Sequence, residues 1–391
     1  MNCSATSSTA AISSAPLLGK KGKELPTMHR RPDLLLLLAI LAVVAFGMLL
    51  LASASSVLGI DLTGDPYTFA KHQFFFGVLP GLGALLLTMN IPYRFLRKIA
   101  IPLLLLVIVL LVLVFIPPFQ AASSGAARWV RFGPITIQPA EFAKLALILY
   151  LAALLAGRDV RRGHVRETLL PFLVIVGIIA VLLIAQPNVG TLALITAVAL
   201  LTYAVAGAPV SHLVGMGTAG AALLLVLIRS APYRVARLIT FLRPETDPQG
   251  IGYQVQQALL AIGSGGLWGF GIGRSRQKFR YLPEPAGDAI FAIAAEELGF
   301  IRLTLFLLLY IFIILRGYRI ARACPDPFSR LVAVGITSWF FVQAVVHMGA
   351  NAGLVPLTGI PLPFVSYGGS ALVVALAGAG ILLNISKYAK E

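Results

Sequence analysis

Apolar runs, each close to the length of a bilayer crossing, alternate with short polar intervals along almost the whole chain. They fall at roughly 34–54, 69–89, 99–117, 141–157, 168–186, 189–206, 211–228, 289–315, 331–350 and 367–385. A helix needs about 20 predominantly apolar residues to cross a hydrocarbon core of about 30 Å. The pattern predicts an all-α integral membrane protein with about ten transmembrane helices, forming one multi-pass domain over residues 34–388. Residues 1–33 are rich in Ser, Thr and Ala and then basic, with no apolar signal-peptide core. They are expected to form a disordered cytoplasmic tail.

The polar intervals then set the orientation. One alternating set carries Arg30 and Arg31; Arg94, Arg97 and Lys98; Arg158, Arg161, Arg162 and Arg166; Arg316, Arg319, Arg322 and Arg330; and Lys387. Short intervals of the other set offer only Lys71, Arg128 and Arg131. Short loops rich in Lys and Arg stay in the cytoplasm, so both termini are expected there. One long extracytoplasmic loop, about 229–288, then precedes the eighth helix.

Composition excludes a soluble enzyme. Of 391 residues, 58% are hydrophobic and 12% charged, and mean hydropathy is +0.90. The formal charge of +16 would otherwise raise nucleic acid as a partner. Here the bases lie between apolar runs, as topology signals do, so no nucleic-acid partner is expected. Cys3 and Cys324 give neither a disulfide framework nor metal-ligand spacing.

Candidate chemistry concentrates in the long polar interval. It is glycine-rich from Gly263 to Gly273, carries Arg229, Arg234, Arg237, Arg243, Arg274, Arg276, Lys278 and Arg280, and ends with Glu284 and Asp288. The cluster reads either as a basic loop resting on lipid headgroups or as a cradle for phosphate, with arginines as bidentate donors and glycines admitting the backbone. Polar residues also mark the spans. Glu141 and Lys144, three apart on one helix face, can pair. Gln186 and Asn188 flank Pro187 in a turn that can cap a helix. Glu296 and Glu297 follow Asp288 by about two turns, and His347 suits packing better than proton relay. Residues 351–364 hold three prolines and two glycines, so they cannot form a regular helix. Such backbone survives at membrane depth only inside protein or beside a cavity. Ser366, Tyr367, Gly368, Gly369 and Ser370 then open the last span, either as a cap or as a site for an anion or sugar oxygen.

Several of these segments together resemble the SEDS family (shape, elongation, division and sporulation). They are Ser275-Arg276-Gln277-Lys278, Tyr281-Leu282-Pro283-Glu284, Glu296-Glu297-Leu298-Gly299 and Pro361 through Ser370, with Gly125 through Trp129 and Ile137 through Glu141 upstream. The wording is more similar to the division-type members than to the elongation-type ones. The resemblance implies a peptidoglycan glycosyltransferase polymerising lipid II on the outer face of the bacterial cytoplasmic (inner) membrane during division or elongation. It places Asp288 at the family's essential acid, and Arg128 and Trp129 beside the substrate groove. Arg243, Arg274, Arg276 and Lys278 become candidates for the pyrophosphate. Gln277, Glu284, Glu141, Lys144 and the 366–370 segment are further substrate-contact candidates. The chain departs from the family pattern at Ala286-Gly287 and Ala289, where His-Thr and Phe are usual, and at Asn188, where Asp is usual.

The chemistry is coherent on its own terms. A carboxylate can take the acceptor proton, and cations can stabilise the departing pyrophosphate. A divalent cation (Mg or Mn) would assist, although no ligand cluster is visible and no cofactor is certain. The resemblance implies a class B penicillin-binding protein (a transpeptidase) and other division or elongation proteins as partners. Two other classes stay open: a lipid II flippase, and a non-catalytic scaffold for the transpeptidase.

Overall fold

The computed structural model describes residues 31–123, 126–133, 135–158, 160, 163, 165–243 and 250–389. Most of the expected N-terminal tail, residues 1–30, lies outside them.

Every predicted apolar run falls on a helix. They are α1 (Leu34–Ala54), the segment Thr68–Asn90, α5 (Tyr93–Leu113), α6 (Pro139–Leu155), α7 (Leu170–Ala185), α8 (Val189–Val205), α9 (Val210–Arg229), α12 (Ile290–Ala323), α13 (Pro327–Asn351) and α14 (Gly369–Ser386). Within Thr68–Asn90, a π-helical turn joins α3 (Thr68–Gln73) to α4 (Leu79–Asn90), and a second leads into α7. Among the described residues, eight helices are long and apolar enough to cross a membrane. α6 and α8 are shorter, at 17 residues each, and α6 is buried over most of its length.

Two features depart from a bundle with loops. A three-stranded antiparallel sheet, β1 (Gln120–Ser123), β2 (Ala126–Phe132) and β3 (Ile135–Ile137), lies between α5 and α6, so the protein is not wholly helical. The long interval is also partly helical, with α10 (Pro232–Leu242) and α11 (Ile251–Ser264) joining the short α2 (Ser56–Thr63) outside the spans.

The two ends of the bundle are distinct. At one end Asp33 caps α1, accepts from Arg316 Nε at 2.5 Å and donates its backbone N–H to Ser386 Oγ at 3.0 Å. That gathers the start of α1, the end of α12 and the end of α14. The opposite end collects β2, the start of α6, the start of α12 and the start of α14.

α12 holds the architecture together. Its 34 residues rise about 51 Å at 1.5 Å per residue, well beyond a bilayer core of about 30 Å. Gly299 (φ 71°) breaks the helix, and every residue from Ile290 to Leu298 is buried in protein. Residues 266–271 lie against the break: Phe270 and Gly271 N–H donate to the Glu296 and Glu297 carbonyls, and Phe300 and Ile301 N–H donate to Gly266 and Leu267. These bonds replace the helical ones lost at the kink, as buried irregular backbone requires. A Cβ on Gly269 or Gly299 would sit 2.1–2.5 Å from the facing backbone. Gly265, Gly269 and Gly299 therefore serve close backbone packing, whereas Gly263, Gly266 and Gly273 face open space.

The paired acids complete the clasp. Glu296 accepts from Ser275 Oγ (2.5 Å) and from the Arg276 and Gln277 backbones. Glu297 accepts from Ser53 Oγ (2.5 Å) and the Ser275 backbone, with Lys278 Nζ at 3.5 Å. The irregular segment before α14 is likewise tied inward, with His347 Nδ1 against Ile360 O and Gln343 Nε2 donating to Pro361 O.

Candidate functional site

Asp288 stands one residue before the Ala289 cap of α12, partly exposed. Its backbone is pinned from several sides. Asn351 Nδ2 donates to the Asp288 carbonyl at 2.8 Å, Ser366 Oγ to that of Gly287 at 2.9 Å, and the Tyr367 N–H to that of Ala286 at 2.9 Å. Residues 286–288 are thus fixed through all three of their carbonyls. The carboxyl lies beside Gly359, where a Cβ would be 3.6 Å from Oδ2.

Opposed forces act on this carboxyl. Burial pushes its pKa up to about 6 and Glu284 adds to the rise, while Arg237 and Arg128 pull it down. Arg128 comes from β2. Its guanidinium donates to the carbonyls of Gln186 (3.3 Å) and Pro187 (2.6 Å), and burial, then Arg237, lowers its own pKa. The turn it grips ends in Asn188, which caps α8 by accepting from the Thr191 N–H at 3.4 Å. Asn caps about as well as Asp, so this capping role does not require the carboxylate.

Arg237 is a residue that the motif-based candidates omit. It lies on α10 with Tyr233 and the buried Thr240 at i, i+4 and i+7, one helical face. Reading 229–288 as loop hides that periodicity. Arg128 and Arg237 are thus two cations whose charge reaches Asp288, although Arg128 already commits Nε and one Nη to backbone carbonyls.

The other predicted bases are placed differently. Lys278 is buried, donating to Gly273 O at 2.6 Å and facing Glu297. It supports the loop and has almost no surface to offer a pyrophosphate. Arg276 is exposed and packs over the Phe270 ring at 5.1 Å, Arg274 is exposed beside it, and Arg243 is exposed at the end of α10. Neither Arg274 nor Arg276 is among the groups that act on the Asp288 carboxyl, which are Glu284, Arg237 and Arg128. Gln277 is half-buried, its backbone spent on Glu296. Glu141 and Lys144 form the expected pair at 2.6 Å, but both are buried. Lys144 also donates to Gln343 at 2.9 Å, as does Trp339 at 2.6 Å. These two residues tie α6 to α13 within the core, which removes them from substrate contact.

A second compartment opens on the other side of β2. Successive strand residues face opposite ways, so Trp129 turns from Arg128 toward a cavity of about 670 Å³. Trp129, Arg131, His72, Phe76, Tyr367 and Ser370 line it. Tyr367 Oη meets His72 Nδ1 at 3.0 Å, and Ser370 Oγ accepts from the Gln138 N–H at 3.2 Å. Gly368 N–H donates to Gln73 Oε1 at 3.0 Å, and Gly369 must be small because a Cβ would meet Phe76 O at 2.8 Å. Within the 366–370 segment Ser366 pins the Gly287 carbonyl beside Asp288, and the other four residues wall the cavity. Among the described residues no three His, Cys, Asp or Glu side chains come together as a metal site. Asp288 and Glu284 are the two carboxylates that would hold a divalent cation here, where it would supply positive charge.

Comparison with known proteins identifies the family and the fold. The family model for FtsW, RodA and SpoVE, described as cell cycle protein, matches residues 33–391. "Stage V sporulation protein E" of Bacillus subtilis is 41% identical over 364 residues, covering 93% of this chain and 99% of that protein. "Probable peptidoglycan glycosyltransferase FtsW" of Trichlorobacter lovleyi is 40% identical, covering 90% and 93%. Among solved structures, a chain from "Structural coordination of polymerization and crosslinking by a peptidoglycan synthase complex" superposes with a TM-score of 0.74 at 30% identity, covering 91% and 97%. The rod shape determining protein RodA of Thermus thermophilus superposes at 0.67 with 29% identity, covering 92% and 98%. Full-length sequence agreement and a shared architecture establish that this chain belongs to the FtsW/RodA/SpoVE family, the SEDS proteins that its motifs resemble.

Proposed function

We propose that this protein is a peptidoglycan glycosyltransferase of the bacterial cytoplasmic membrane, polymerising lipid II on the outer face. The observation that carries the reading is Asp288, a partly exposed carboxyl at the entry to α12 whose backbone is fixed by Asn351 and by the residues around Ser366, within the electrostatic reach of Arg128 and Arg237. The acceptor hydroxyl attacks the anomeric carbon of the donor sugar, and the bond from that carbon to the pyrophosphate oxygen breaks with inversion. Asp288 takes the hydroxyl proton. The polyprenyl pyrophosphate leaves with the bonding electrons, its growing charge met by Arg128 and Arg237. The Trp129 cavity, walled by aromatic rings and hydroxyls, suits the second sugar chain. An apolar cavity of about 670 Å³ among α7, α8 and α9, reaching Leu227 near the start of α10, suits a polyprenyl tail.

The arginine distribution supports an outer location for this site and cytoplasmic termini. A class B penicillin-binding protein is the partner this reading expects, since the superposed synthase complex couples polymerisation to crosslinking. Relatives named FtsW and SpoVE favour a division-type role. A flippase would carry its charges in broken helices at the bilayer midplane. The polar groups assembled here lie at one end of the bundle instead. The test is incubation of purified protein, alone and with its transpeptidase, with labelled lipid II. Glycan strands of increasing length are expected; translocation of lipid II in proteoliposomes without any polymer would favour the flippase.

A further inference from the structure

At the end of the bundle opposite Asp288, a cavity of about 870 Å³ is walled by residues 31–35, by Ser386 and Ala389, and by the last turns of α12. Arg31, Arg316, Arg319 and Arg322 line it, with Asp33 as its acid. Asp33 is already committed: one oxygen caps α1 and the other receives Arg316. Arg31, Arg319 and Arg322 are exposed and have no carboxylate partner among the described residues. A topology signal needs only a count of positive charges in a short loop. Here the charges are spaced by three along a helix, converge with one from the far end of the sequence, and face a concave space. Apolar surface continues from that space into the membrane region, with Leu35 and Leu38 of α1 56% and 62% exposed, and Leu308 of α12 53% exposed. α1 and α12 run side by side there, with the Phe46 and Phe306 rings 5.3 Å apart.

From this convergence we propose that the cavity is a binding site for an anionic phospholipid. Its phosphodiester sits among Arg31, Arg319 and Arg322, and its acyl chains lie along Leu35, Leu38 and Leu308. Guanidinium groups favour phosphate oxygens geometrically, and basic pockets between spans on this side are suited to anionic headgroups. A zwitterionic headgroup brings its own cation and so gains less from three unpaired arginines. The proposal is independent of the polymerase reading, because it concerns the other end of the molecule and is read by binding alone.

The experiment is native mass spectrometry of the detergent-purified full chain with phosphatidylglycerol or phosphatidylcholine, alongside melting temperature with each lipid. Wild type is expected to retain phosphatidylglycerol selectively and to melt higher in its presence. Arg319→Gln with Arg322→Gln should weaken retention about fivefold per arginine removed. Arg94→Gln with Arg330→Gln, exposed bases outside the cavity, should leave it unchanged. Each single cavity variant is read separately should the double variant not fold. Equal loss in both double variants would show diffuse surface charge and overturn the site, as would equal retention of phosphatidylcholine. Stabilisation by inorganic phosphate alone, equal to that by phosphatidylglycerol, would assign the arginines to a free anion and overturn the lipid.

Discussion

Asp288 is useful as a base only while it is ionised, and its neighbours decide where that begins. With a pKa near 6, polymerisation should rise as pH increases through about 6 and level off above 7. Below that limb the carboxyl is protonated and cannot accept the hydroxyl proton. Glu284 raises this pKa and Arg237 lowers it, so their variants should move the limb in opposite directions. Glu284→Gln is expected to shift it to lower pH and Arg237→Gln to higher pH, measured as initial rate against pH with matched protein. Shifts in the same direction would remove the electrostatic account. Asp288 itself was legible, because an acid at a helix entry after two prolines sits in a recognisable motif. Arg237 was not, since its role comes from a helical face in a segment whose arginines read as loop charge.

The clasp between α12 and the 266–278 stretch makes a different kind of demand. Gly299→Ala would place a Cβ 2.1 Å from the Gly269 nitrogen in a left-handed conformation. A destabilisation of about 2–4 kcal/mol is expected from strain and overpacking together, seen as a lower melting temperature in detergent. Lys278→Gln leaves Glu297 buried without its cation, for which about 3–5 kcal/mol is typical. Its effect should therefore appear in folded yield and thermal stability, whereas Arg276→Gln should leave both unchanged. Loss of activity by Lys278→Gln with normal stability would return that lysine to the substrate. The glycine and charge content of this stretch was plain in the sequence. Its purpose was hidden, because a buried lysine and an exposed one are spelled alike and only the partner Glu297, 19 residues on, distinguishes them.

At the scale of the molecule, hydrophobic run length revealed the spans, since bilayer thickness fixes it. The small sheet escaped notice because strands of four, seven and three residues carry too little periodicity to stand out between spans. Helices α10 and α11 were masked by a polar composition that also suits a loop. Orientation is directly testable. With Cys3 and Cys324 replaced by Ser, a cysteine at exposed Tyr281 should react with an impermeant thiol reagent from outside intact cells, and one at exposed Arg158 should not. Native Cys324 is a poor reporter, being buried, with its thiol pKa raised to about 11. Labelling at position 158 from outside would invert the molecule and move the Asp288 site to the cytoplasm.

The central claim is that Asp288 accepts the proton during glycan polymerisation. Asp288→Asn keeps size and hydrogen bonding while removing the basic oxygen, and its backbone ties to Asn351 and to the residues around Ser366 do not depend on the side chain. Purified wild-type and Asn proteins, each with the transpeptidase partner, are compared for polymer formed from labelled lipid II at matched melting temperature. A loss of about 10²–10⁴-fold in rate is predicted, the usual worth of a general base. Near-normal polymerisation by the Asn protein would contradict the account and leave Glu284 as the carboxylate to examine.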